Sequence, residues 1–257
     1  MKSKNRLVFL IGGKGFVGNE IKKRLKKNFL VKIIHKKNLK KFENKECEFL
    51  INANGNSKKY ISEKNFLEDF KLNVLSTANF IEKIQFKKYI HLSSIDVYHD
   101  LTNKSNNHEN TKININKISK YGFNKYLSEL IIIKTLKNWN ILRLSGMVGS
   151  RLNKNPIFDM KKNKKLFVNI NSKFHFMHTN EVAEIIFKII TKFKNKRIIN
   201  VASPKNISLK EAAEIFNYKV HKDNSKLPLK KYEINTLKLK KIFNVKSSRK
   251  TILDFVK

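Results

Sequence analysis

Arg6-Leu-Val-Phe-Leu-Ile11 runs straight into Gly12-Gly13-Lys14-Gly15-Phe16-Val17-Gly18, and a helical pattern through Ile21 and Leu25 follows. The apolar run reads as a buried strand, the glycines as a tight turn, and the stretch after them as a helix. In that order the segment makes a phosphate cradle. Small residues let the backbone approach a pyrophosphate, and the helix amino terminus meets its negative charge with N–H groups. A glycine loop alone is a weak signal; the strand before it and the helix after it make it a dinucleotide site. Gly12, Gly15, Phe16, Val17 and Gly18 are the expected cofactor contacts.

Outward from this unit the same rhythm repeats. Residues 29–34, 48–52, 88–93 and 140–144 read as strands, and apolar residues recur at helical spacing over 66–86 and 118–136. Alternating strands and helices predict an α/β fold, a Rossmann-type doubly wound parallel sheet with ligands at the carboxyl ends of its strands. Residues 99–117 are polar and read as a long loop. Beyond Gly149 the rhythm weakens: 151–173 is basic and loop-rich, while a helix at 180–193 and a strand at 197–201 resume the pattern. The expected division is an NAD(P)-binding domain over 1–149 and 174–203. A small, mostly carboxyl-terminal substrate lobe takes 150–173 and 204–257.

Composition narrows the class. The 257 residues carry 56 Lys+Arg against 20 Asp+Glu, a formal charge of +36, and 40% are hydrophobic. That hydrophobic share suffices for a core and excludes wholesale disorder. One cysteine, Cys47, excludes an internal disulfide framework and a multi-cysteine zinc site. No apolar run approaches the roughly 18–20 residues of a membrane span. The basic start Met1-Lys-Ser-Lys-Asn-Arg6 precedes an apolar stretch too short for a signal peptide. A reduced, soluble, cytoplasmic protein without a metal is expected.

The charge invites a nucleic-acid partner. Yet only Arg6, Arg24, Arg143, Arg151, Arg197 and Arg249 are arginines, and the other basic residues are all lysines. Asn and Ile are abundant while Gly and Pro are scarce, at 8 and 3. AT-rich codons produce that composition, whereas groove-reading proteins use Arg for planar bidentate contacts. A nucleic-acid partner is therefore not expected. A nucleic-acid-binding protein on a Rossmann fold stands as the alternative of another class.

Two further clusters carry chemistry. The second strand ends Ile33-Ile34-His35-Lys36-Lys37, with no carboxylate until Glu43. An acidic residue there would accept from a ribose 2′-hydroxyl, and basic residues suit a 2′-phosphate, so NADP(H) is favoured over NAD(H). Tyr121-Gly-Phe-Asn-Lys125 places a phenol and an ammonium four residues apart on one helix face. The ammonium favours phenolate and is expected to lower the tyrosine pKa, so that Tyr121 exchanges a proton while a nicotinamide exchanges hydride. Ser93-Ser94 ends the fourth strand, where a serine hydroxyl can donate to the reacting oxygen.

Together these segments resemble the extended short-chain dehydrogenase/reductases, the nucleotide-sugar epimerases, dehydratases and ketoreductases. Gly12, Gly15 and Gly18 match the family's glycine loop, and Asn52-Ala53-Asn54-Gly55 its third-strand motif. Asn73-Val-Leu-Ser-Thr77 is similar to its central helix motif. Ser93-Ser-Ile-Asp-Val-Tyr98 is similar to its catalytic strand, and Tyr121-Gly122, Lys125 and Glu129 to its Tyr-Gly-x-x-Lys-x-x-x-Glu signature. Arg143–Gly149, Phe176–Val182 and Asn235–Val245 follow its later blocks. The resemblance implies Ser94, Tyr121 and Lys125 as catalytic residues, with Asn52, Ala53, Asn54 and Lys125 at the cofactor.

Departures narrow the reaction that the resemblance implies. Family 4,6-dehydratases carry Asp-Glu after the catalytic Thr; Ile95 and Asp96 stand there, which argues against full dehydratase chemistry. Asp96 either protonates a sugar position or hydrogen-bonds a substrate hydroxyl. His99 replaces a usual glycine. Phe174 falls where many relatives bind the substrate diphosphate with Arg, leaving Arg151 or Lys173 to meet that anion. The expected activity is NAD(P)-dependent reduction of a 4-keto nucleotide sugar for surface-polysaccharide precursors. An epimerase with retained cofactor is the alternative.

The two long helices are apolar on more than one side, since Ile131-Ile-Ile133 cannot all face one sheet. A homodimer built on these helices is expected.

Overall fold

The computed structural model describes residues 6–193 and 195–257; the basic start over Met1–Asn5 lies outside the described residues. Two compact units emerge. The first comprises the chain up to His99, with Lys112–Arg143 and Val182–Ile199, and the second Asp100–Thr111, Leu144–Glu181 and Asn200–Lys257. Residues 100–111, 144–149, 174–181 and 200–203, grouped by sequence with the first domain, thus fall in the second unit.

The central sheet is built from β1 (Leu7–Ile11), β2 (Leu30–Ile34), β3 (Glu46–Asn52), β4 (Gln85–Ser94), β5 (Trp139–Leu144) and β9 (Arg197–Val201), in the order β2-β1-β3-β4-β5-β9. β1 runs parallel to both β2 and β3, with Ile11 opposite Ile34 and Asn52. The order reverses at β1, so the crevice at the carboxyl ends of β1 and β3 is the ligand position of such sheets. The fold is the Rossmann-type α/β sheet expected.

Alternation along the strands fixes which helices cover which face. Phe9, Ile11 and Leu50 share one apolar cluster with Phe80 and Ile132 of the flanking helices and with Ile84 just past one of them. Phe49, one residue from Leu50, turns the other way and meets Phe29, which contacts Phe187 edge-on. The first helix layer is therefore α4 (Ser76–Lys83) and α5 (Lys120–Thr135). The second is α1 (Phe16–Leu25) and α7 (Thr179–Lys192), joined by the Arg24–Glu184 ion pair. Val182, Ile185, Ile186 and Ile189 give α7 its buried stripe.

The segment expected as one helix over 66–86 is more broken. A short helix α2 (Lys59–Lys64) precedes it, then α3 (Phe66–Phe70), a one-turn π segment at Lys71–Leu75, and α4. The π turn is held by side chains on its freed carbonyl, with Thr77 and Ser128 both donating to the Asn73 main-chain oxygen, at 2.7 and 3.2 Å. π turns often accompany functional residues.

In the second unit β6 (Gly146–Val148) pairs with β8 (Phe176–His178), and β7 (Lys173–Phe174) with β10 (Ile207–Ser208). Helices α6 (Pro156–Lys161), α8 (Leu209–Ile215), α9 (Leu237–Lys240) and α10 (Ser248–Val256) complete it. Its own core gathers Val148, Ile157, Met160, Leu166, Phe176, Leu209 and Ile252. Among the described residues, no helix is long and apolar enough to cross a membrane.

Candidate active site

The glycine loop closes tightly because its residues lack side chains. Gly12 takes a positive φ of 75°, and Gly15 N–H donates to its carbonyl at 2.8 Å. A methyl group on Gly18 would lie 2.2 Å from the same carbonyl oxygen, so only glycine lets α1 start this close to β1. No side chain caps α1, and its first turn contains no acidic residue. Its amino terminus is thus suited to an anion.

Ser94, Asp96 and Tyr121 come together at the end of β4. Ser94 Oγ donates to Asp96 Oδ2 at 2.8 Å and accepts from the Asp96 N–H at 3.2 Å. It also shares a hydrogen bond with the Tyr121 phenol. Ser93 is used differently: its hydroxyl donates to buried Glu129 at 2.5 Å. Ser94, and not Ser93, is therefore the serine placed beside Asp96 and Tyr121. Gly122 makes the approach possible, because a methyl there would sit 2.1 Å from the Asp96 carbonyl oxygen. Tyr-Gly therefore lets α5 dock against the Ile95–Val97 turn with Tyr121 beside Ser94.

The electrostatics differ from the expectation drawn from Tyr-x-x-x-Lys. Burial and then the Asp96 carboxylate push the Tyr121 phenol above its ordinary value, and the opposing cation is Lys59 rather than Lys125. Lys59 Nζ donates to Asp96 Oδ1 at 2.6 Å. Tyr121 thus holds its proton at neutral pH. Lys125 is itself buried, with Nζ 5.9 Å from the Tyr121 ring centroid, and burial draws it down to about 8.

Lys125 Nζ and Asn73 Oδ1 flank Gly55, where an added methyl would lie 3.0 Å from the first and 2.5 Å from the second. The Asn73 oxygen is buried and accepts no hydrogen bond. A buried donor and an orphaned acceptor beside a side-chain-free residue suit a polyhydroxyl group. Together with the uncapped α1 terminus, these residues fit a dinucleotide with its phosphates at Gly12–Gly18.

A model of the NAD dependent epimerase/dehydratase family matches residues 8–202. The chain belongs to this family. A search of the curated proteins returns no match. Among solved structures the fold is similar to a dTDP-4-dehydrorhamnose reductase from Clostridium acetobutylicum, with a TM-score of 0.79, 18% identity, and 97% of this chain and 98% of that one covered. A UDP-glucuronic acid 4-epimerase from Bacillus cereus, solved with UDP-glucuronic acid and NAD, gives 0.79, 16%, 97% and 98%. A dTDP-4-dehydrorhamnose reductase from Bacillus anthracis, in complex with NADP, gives 0.77, 16%, 100% and 99%. Nucleotide-sugar epimerases and reductases thus share this fold.

Within the family frame, the other expected residues take distinct places. His35 caps a 3₁₀ turn, Lys36–Phe42, and Lys36 and Lys37 are exposed just past β2, beside the glycine loop. Asn52 is consumed by structure: its Nδ2 donates to the Tyr89 hydroxyl at 2.9 Å and its Oδ1 accepts from the Asn54 N–H at 3.0 Å. It shapes the β3 end, where the Ala53 carbonyl lies against Gly12. Arg151 and Lys173 belong to the second unit and are exposed. There Phe174 stacks on Tyr232 at 5.0 Å.

His178 and Glu181 serve α7's start, His178 Nδ1 accepting from Asn180 N–H at 3.1 Å. His99 Nδ1 accepts from the Asn114 N–H at 3.4 Å. Cys47 is a buried strand residue whose thiol is pushed up by burial to about 12, far from reactive.

Two residues at the site were not singled out by sequence. Lys59 is one lysine in a chain full of them, so no local pattern marked it. Asp69 left a faint signal, its i,i+4 spacing to Asn73 on one helix face.

Proposed function

We propose that the chain reduces a 4-keto nucleotide sugar with NADPH in the cytoplasm, supplying surface-polysaccharide precursors. The observation that carries this reading is the buried Tyr121 phenol hydrogen-bonded to Ser94 within one unit with the glycine loop and Lys125. NADPH, when bound, supplies the hydride. The phosphates would lie on the Gly12–Gly18 turn, and Lys125 with Asn73 would hold the nicotinamide ribose. Ser94 would polarise the substrate ketone, and Tyr121 would give the carbonyl oxygen its proton. Asp96, oriented by Lys59, is suited to accept from a substrate hydroxyl. Arg151 or Lys173 is the proposed partner of the substrate diphosphate.

The test is net oxidation of NADPH on addition of 4-keto nucleotide sugars. Stoichiometric oxidation supports the reductase. Interconversion of sugar nucleotides without net oxidation assigns a retained-cofactor epimerase, and neither result removes the enzymatic reading.

The NADP preference rests on Lys36 and Lys37. The Lys36→Glu/Lys37→Glu variant is expected to bind NADPH at least tenfold more weakly and NADH at least as well as the parent, measured by fluorescence titration. Equal weakening toward both would show that the pair contributes only general charge.

We assign a homodimer to the exposed apolar side chains Leu67 and Leu75, before and at the end of the π turn, and Leu130 and Ile133 of α5. Sedimentation should give twice the chain mass, and Leu130→Glu/Ile133→Glu should give monomers. A monomeric parent would contradict the assignment.

A further inference from the structure

Asp69 is completely buried on α3, and amides occupy both of its oxygens. Asn56 Nδ2 and Asn73 Nδ2 donate to Oδ1 at 2.7 and 2.8 Å, and Asn124 Nδ2 donates to Oδ2 at 2.7 Å. Burying a carboxylate is costly unless hydrogen bonds hold it. Three amide donors satisfy its lone pairs and leave its charge to act on its surroundings.

Two of those amides adjoin Lys125. Asn124 precedes it on α5, and Asn73 Oδ1 faces Lys125 Nζ across Gly55. Because Asn73 Nδ2 is committed to Asp69, its oxygen is turned away from the carboxylate and toward Gly55; the flipped amide would set oxygen against the carboxylate. We infer that Asp69 is a positioning residue for Lys125: its clamped carboxylate aims the Asn73 carbonyl at the ammonium pocket and supplies the counter-charge that keeps a buried lysine protonated. The inference deepens the function proposed above and rests on Lys125 serving as the ribose ligand.

The charged and titratable groups around Lys125 favour Asp69 for this part. Burial lowers Lys125 to about 8, while Asp69 and then Glu129 oppose the fall. Glu129 already serves Arg143 and Ser93. His91 on β4 is fully buried and held neutral by burial and then by Lys125, at about 3. Tyr121 presents its ring and keeps its proton.

The test uses Asp69→Asn with two readouts from about pH 6 to pH 10, a range spanning the buried and ordinary lysine values. One is NADPH affinity by fluorescence. The other is the acetylation rate of Lys125 by acetic anhydride, read by mass spectrometry of its peptide, which needs no cofactor. In the parent, NADPH binding should weaken above about pH 8 as Lys125 loses its proton. Removing the carboxylate should move that limb about one unit lower and raise Lys125 labelling about tenfold at pH values below the limb.

An unmoved limb with an unmoved labelling rate overturns the proposal. Should Asp69→Asn fail to fold, Asp69→Ser replaces it, leaving room for water at the three amides. Failure of both to fold also overturns it, reducing Asp69 to a fold determinant. A parent that binds no NADPH would count against the reading of the site, while the labelling rate still decides the role of Asp69.

Discussion

Tyr121→Phe should lower kcat for ketone reduction by about two to four orders of magnitude, the usual contribution of a positioned acid. NADPH affinity should stay within about threefold of the parent, because the ribose pocket proposed at Lys125 and Asn73 is untouched. The reason lies in what is removed: one buried hydroxyl bonded to Ser94. Ser94 keeps its bond to Asp96, so the end of β4 retains its shape.

The pH dependence follows from the same geometry. Burial and Asp96 hold the phenol protonated well beyond neutrality, so Tyr121 itself sets no limb in the working range. The descending limb belongs to Lys125, whose ammonium is lost as pH rises through about 8. A Tyr121→Phe variant with parental kcat would remove the phenol from the mechanism.

Glu129→Gln should be the most destabilising conservative change in the first unit. The Glu129 and Arg143 side chains are 0% and 2% exposed, with Arg143 Nη2 donating at 2.6 Å. Arg143 Nε bridges both carboxylate oxygens at 3.1 and 3.2 Å, and Ser93 donates at 2.5 Å. This one carboxylate ties α5 to β4 and β5, the elements that present Tyr121 and Ser94.

Neutralising it leaves a guanidinium buried without a counter-charge, at a cost of about 3–5 kcal/mol. For a chain of this size that corresponds to roughly 10 °C in Tm. The double variant Glu129→Leu/Arg143→Met removes both charges and should recover much of the loss. Calorimetric melting curves of the two decide the point. Equal losses in both would mean that packing volume, rather than the unpaired charge, sets the cost.

Most of the central sheet could be read from the chain because its strands are uninterrupted apolar runs between turn residues. Val8, Leu10, Ile11, Leu50 and Ile51 are each 0–1% exposed, which is why they need no alternation in sequence. Boundaries moved where polar residues join a ladder, as at Gln85–Lys87 in β4 and Glu46 in β3. The π turn at Lys71–Leu75 was not legible, since it depends on hydroxyls of Thr77 and Ser128 reaching one carbonyl. The Tyr121–Lys125 pair was legible from helical spacing and the Ser93-Ser94 pair from its place at a strand end, while the choice of Ser94 came from the family resemblance. The direction of the Tyr121 shift was not, because it depends on burial and on the Asp96 carboxylate, which outweigh the opposing Lys59 of α2.

The central claim is that this unit binds a nicotinamide dinucleotide on Gly12–Gly18 and Lys125. It is tested most directly by isothermal titration of protein stripped of bound nucleotide, with NADPH and NADH at near-physiological salt. Saturable one-to-one binding is predicted, tighter for NADPH and lost in Gly18→Ala, whose added methyl would meet the Gly12 carbonyl oxygen at 2.2 Å. Heat that merely fades with salt, equal for parent and Gly18→Ala, would contradict it and leave the +36 charge as the only attraction.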